Sequence, residues 1–79
     1  MTLDQLPIGQ TARICAVDWP ILADDEGQRL RALGLAEGAK VSVAHRGVFA
    51  GGDPLAIAVG RMTVALRRNH ARAMQVELL

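Results

Sequence analysis

The sequence predicts a mainly β fold: a small five-stranded barrel with one inserted α-helix and a short helical turn before the last strand. Three observations carry this. Five short runs alternate apolar residues with polar or small ones. One segment, 25–33, instead spaces Leu30 and Leu33 three apart, so that both fall on one helical face. Gly60-Arg61 separates two alternating runs by two residues, the spacing of a tight hairpin whose turn wants glycine first. Closing five strands into a barrel would remove the edges that an isolated sheet exposes.

Residues 1–10 read as a lead-in, with Leu3, Leu6 and Ile8 available to cap the core and Pro7 and Gly9 against a continuous helix. The first strand spans 11–17, with Ala12, Ile14 and Ala16 on one face and Arg13 on the other. Asp18-Trp19-Pro20 ends it, because the residue before proline avoids helical geometry. Asp24 or Asp25 is expected to cap the helix; if Asp25 does, Gln28 takes the reciprocal position, and the acidic cluster suits a helix N-terminus. The helix stops at Gly34, which falls where positive φ is needed, and Leu35 follows as the apolar clip.

Glu37-Gly38 turns the chain into a second strand over 41–46. Residues 47–54 form a loop rich in turn formers, with Val48 and Phe49 as apolar residues inside it. The hairpin follows, built from 55–59 and 62–66. Residues 68–72 suit one helical turn with Asn69 as its cap, and Met74, Val76 and Leu78 alternate in a last strand. The tight hairpin and the helical turn before the final strand fit an SH3-like barrel.

Size and composition bound the function. The 79 residues make one domain, 1–79, near the limit where a single core suffices, with a stability of about 5 kcal/mol. The apolar fraction of 51% includes 13 alanines, yet so small a domain cannot hide every apolar residue, and some are expected on a partner-facing patch. Net charge is +1, unevenly placed: residues 1–53 carry −2 and residues 54–79 carry +3. Solvated surface arginines explain this more simply than a polyanion site. Cys15 is the single cysteine, and no leader segment or 18-residue apolar run is present, which points to a cytoplasmic protein without membrane insertion.

No motif places a base beside a nucleophile, so no catalytic residue and no enzyme activity are expected. Cys15, His45 and His70 lack the close pairing of metal ligands, and helix capping accounts for Asp24, Asp25 and Glu26. No metal or cofactor is therefore expected. With no Tyr, one Trp and one Phe, the chain offers few stacking platforms for nucleic acid and few rings for a proline-rich peptide. The candidate partner-binding residues are Leu30, Arg31, Leu35, Phe49 and Trp19. Leu30, flanked by Arg29 and Arg31, reads as an apolar anchor rimmed by arginine, and Leu30→Asp is expected to abolish partner binding with the fold intact. Leu33 and Leu35 also read as plugs holding the helix on the barrel. Trp19 and Phe49 read either as lids over a barrel end or as partner contacts.

Leu6-Pro7-Ile8-Gly9, Arg29-Leu30 with Leu33-Gly34-Leu35 and Gly38, Gly52-Asp53-Pro54-Leu55, and then Ala65-Leu66-Arg67, Ala71 and Val76 run through the whole chain. In this combination and order the sequence resembles the ferrous iron transport protein A (FeoA) family of SH3-like domains. It departs from that pattern in residues 18–27, longer and more acidic around Trp19-Pro20, and at Asn69-His70. The resemblance implies a non-enzymatic cytoplasmic accessory role in bacterial ferrous iron uptake. The implied partner is the cytoplasmic part of the membrane transporter FeoB. Two alternatives remain: the SH3-like domain of an iron-dependent transcriptional regulator, or a small RNA-binding barrel. Self-association is left open.

Overall fold

A computed structural model of the protein describes residues 1–47 and 53–79. Five strands form one antiparallel sheet: β1 (Thr11–Val17), β2 (Lys40–Arg46), β3 (Leu55–Val59), β4 (Met62–Leu66) and β5 (Met74–Leu78), in the order β4-β3-β2-β1-β5. Helix α1 (Asp24–Ala32) lies between β1 and β2, and the short helix α2 (Arg68–Ala71) between β4 and β5. The alternation read from the sequence places Leu55, Ile57 and Val59 of β3 and Val64 and Leu66 of β4 in the core. Gly60 takes φ +58° and, among the described residues, only glycines have positive φ, so the β3–β4 turn is of the expected glycine-first kind.

The sheet curls as an SH3-like barrel but does not close, because β4 and β5 are not neighbours. Full closure, expected from the sequence, is replaced by the lead-in. Leu3 and Leu6 are fully buried, and Thr2 bridges Gln75 while Val76 N–H donates to the Met1 carbonyl at 2.8 Å. Arg46 pins the same segment, donating to the carbonyls of Asp4 (3.2 Å) and Leu6 (2.9 Å). Ile8, read as available to cap the core, is instead 58% exposed, where its segment bridges Val43 of β2.

Two further expectations change. Ala16 faces solvent, not the core, because a bulge between Ile14 and Ala16 inserts Cys15 and reverses the alternation. The α1 cap is Ala23, with no side-chain bond; Asp24, Asp25 and Glu26 occupy the first turn, where negative charge suits the helix dipole. Likewise α2 is capped not by Asn69 but by Asp53, whose Oδ1 accepts from Arg68 N–H at 2.9 Å.

The α1 stop matches its reading. Gly34 takes φ +89°, its N–H reaching the Arg31 carbonyl (3.0 Å) while Leu35 N–H reaches that of Leu30 (2.9 Å). This is the paired ending in which the residue after the glycine clips back onto the last turn. That geometry fixes the leucines. Leu30 and Leu35, joined by that backbone bond, are both 0% exposed, whereas Leu33 is half-buried.

Candidate functional site

The burial of Leu30 and Leu35 removes them from the partner patch, correcting the sequence reading. A nine-residue helix turns one face inward, and Gly27 and Leu30 are its buried residues. The charges of Arg29 and Arg31 lie on the outward side and do not draw Leu30 with them. Phe49 lies outside the described residues. Trp19 and Arg31 remain, and the structure brings them together.

Trp19 follows β1 in a one-turn 3-10 segment, Trp19–Ile21, set by Pro20 in its first turn. Its ring rests over α1 where Gly27 has no side chain; a Cβ there would stand 3.6 Å from the ring edge. One turn on, the Arg31 guanidinium covers the ring, 4.0 Å from its centroid. Such a pair at an exposed site contributes about 0.5–1 kcal/mol. The indole Nε1–H donates to Glu37 Oε2 at 3.1 Å. Helix, cation and carboxylate thus hold a half-buried indole in one orientation, bedded on α1.

The Glu37 carboxyl is held below the usual range, first by its own backbone N–H, then by the indole N–H, with Arg31 adding attraction. A group whose folded pKa is depressed contributes stability above its unfolded pKa and loses it as pH falls through the folded value. The Trp19 emission of the folded protein should therefore titrate on acidification with a midpoint below 4.5, and Glu37→Gln should abolish that transition. An emission constant down to global acid unfolding would contradict the bond.

Beside the ring opens a groove of about 300 Å³, lined by Trp19, Pro20, Leu22, Ala23, Asp24, Gly27, Gln28 and Arg31. Its lining mixes polar and apolar surface, with Arg31 and Asp24 as its charged residues beside the indole, a composition suited to a protein segment more than to a reacting small molecule. Sequence reasoning saw Asp24 and Gln28 only as capping residues and Glu37 only as a turn former. Nothing local links Glu37 to a tryptophan 18 residues earlier. Behind the groove, Glu26 meets Arg29 at 3.0 Å and His70 at 3.5 Å, joining α1 to α2. Among the described residues no group of three or more His, Cys, Asp or Glu is placed to hold a metal ion, and no helix is long and apolar enough to cross a membrane.

A sequence model of the FeoA domain matches residues 1–78. The chain belongs to the FeoA family. Among solved structures, FeoA of Stenotrophomonas maltophilia is 36% identical over 98% of this chain and 89% of its own, with a TM-score of 0.79. That protein, solved in complex with zinc, is described as a prokaryotic SH3 domain protein and a candidate ferrous iron transport activating factor. FeoA of Chlorobium tepidum is 34% identical over 100% of this chain and 70% of its own, TM-score 0.83. Iron(II) transport protein A of Clostridium thermocellum is 25% identical with TM-score 0.83; this FeoA chain spans 46% of its length. A search of curated proteins gives no match. IdeR of T. acidophilum shares the fold at 20% identity and TM-score 0.77, over 99% of this chain and 33% of its own length.

Proposed function

We propose that this FeoA protein is a non-enzymatic, cytoplasmic accessory factor of ferrous iron uptake. It acts by binding the cytoplasmic part of a FeoB-like membrane transporter through the Trp19–Arg31 groove. Family membership and the description of the S. maltophilia relative support the pathway. The observation that carries the site is the indole fixed between Arg31 and Glu37 beside a groove of mixed polar and apolar lining. Tryptophan and arginine dominate binding energy at interfaces, and an indole already held in place loses little entropy on docking.

The test is biolayer interferometry against the immobilised cytoplasmic GTP-binding region of the cognate FeoB. Trp19→Ala should weaken binding about 30-fold or more, the loss expected of a hot spot, and Arg31→Glu should weaken it severalfold, with circular dichroism unchanged. Wild-type protein that fails to bind any cytoplasmic part of FeoB would refute the partner. Binding that both variants preserve would refute the site.

A further inference from the structure

The two outer strands of the sheet are treated differently. The free side of β5 is met by the lead-in, through the Thr2–Gln75 bridge and the bond from Val76 N–H to Met1. The outer side of β4 pairs with no described strand.

The turn fixes which groups β4 presents. A two-residue hairpin loop makes the flanking residues, Val59 and Met62, a hydrogen-bonded pair, and such pairs alternate along an antiparallel ladder. Ile57–Val64 and Leu55–Leu66 are therefore bonded across to β3. Thr63 and Ala65 direct their N–H and C=O groups outward, two donors and two acceptors repeating at about 7 Å.

The devices that usually blunt such an edge are missing from it. Met62–Leu66 contains no charge and no proline, and its register with β3 is unbroken, whereas β1 and β2 both carry bulges. Thr63 and Ala65 are exposed and small, leaving room beside the edge, and Val64 and Leu66 face the core.

Charge selects the occupant. Exposed Arg61 and Arg67 bracket the strand, in the C-terminal third of the chain, residues 54–79, which carries +3. If β4 met a second copy antiparallel about Val64, the register using both outward residues, Arg61 would oppose Arg67 twice. Like charges directly opposite across strands are destabilising. A segment with acids at its ends meets attraction at both.

We infer that the β4 edge receives an extended segment of a partner protein. That segment has an uncharged stretch of about five residues flanked by acidic side chains, and joins the sheet as a sixth strand. β4 contributes no residue to the Trp19 groove, so this surface is independent of the FeoB reading.

The probe is a fluorescent nine-residue peptide, Glu-Glu-Thr-Val-Thr-Val-Thr-Glu-Glu, compared with its lysine-flanked counterpart. The acidic peptide should bind the full chain and slow amide exchange at Thr63 and Ala65. Lysine flanks, or Arg61→Glu combined with Arg67→Glu, should each weaken binding about tenfold or more. Ala65→Pro, which removes one outward N–H, should abolish it; the exchange pattern and the charge variants decide the matter if that protein does not fold. The inference is overturned if the acidic peptide does not bind, if both peptides bind equally, or if protection falls away from β4. Sedimentation showing a dimer sealed through β4 would overturn it as well.

Discussion

Leu30→Asp should unfold this domain, not merely silence an interface. Leu30 is 0% exposed and clipped by Leu35 at the end of α1. The substitution removes a packed leucine and leaves a carboxylate in an apolar interior, since the core among the described residues holds no buried polar or charged side chain to pair with it. Loss of the leucine alone costs about 2–5 kcal/mol, and burying the new polar group adds a few more. A domain of this size has about 5 kcal/mol to lose. Far-ultraviolet circular dichroism should show loss of the native spectrum, while Leu33→Asp, at a half-buried position one turn on, should keep it. A Leu30→Asp protein that melts cooperatively near the wild-type temperature would show that α1 is not docked as described.

This reversal marks where the sequence stops being legible. Strand positions were readable because alternation is local: β1, β3, β4 and β5 occupy the residues the pattern assigns to them. The α1 stop was equally local, set by Gly34 and Leu35 within one turn. Depth was not. An arginine-flanked leucine looks the same on paper whether its helix face turns in or out, and Leu35 is drawn inward by a carbonyl five residues earlier. The Cys15 bulge was hidden because Ala12, Ile14 and Ala16 continue an apolar alternation that an alanine satisfies on either face. Half of the candidate site was visible as Trp19 and Arg31; its other half, Glu37 and the bare surface of Gly27, depends on chain segments meeting in space. The missing closure of the barrel has the same origin, because nothing in the strands announces that residues 1 and 2 will cover β5 while the outer side of β4 pairs with no described strand.

Gly47→Ala should be the most damaging glycine-to-alanine change among the described residues. A Cβ on Gly47 would stand 2.5 Å from the Asp53 carbonyl carbon and oxygen and 2.7 Å from the Pro54 oxygen. All three are backbone atoms, so no rotamer change relieves the clash and the chain at Asp53 must move. Asp53 is also the group whose Oδ1 holds the first N–H of α2, at 2.9 Å. One methyl therefore forces a backbone shift, at about 1–3 kcal/mol, and strains a helix cap worth about 1 kcal/mol. Urea denaturation should place Gly47→Ala about 2–4 kcal/mol below wild type and Asp53→Ala about 1 kcal/mol below it. If the clash acts through the cap, the double variant should lose less than the sum of the two, because groups in contact share the term they remove. Strict additivity, or a Gly47→Ala protein as stable as wild type, would sever that link. The consequence reaches the groove as well: α2 carries His70, which meets Glu26 on α1, the helix on which Trp19 rests. A displaced α2 should loosen the indole, so Gly47→Ala should broaden and shift the Trp19 emission of the folded protein, whereas Ala65→Pro on β4 should not.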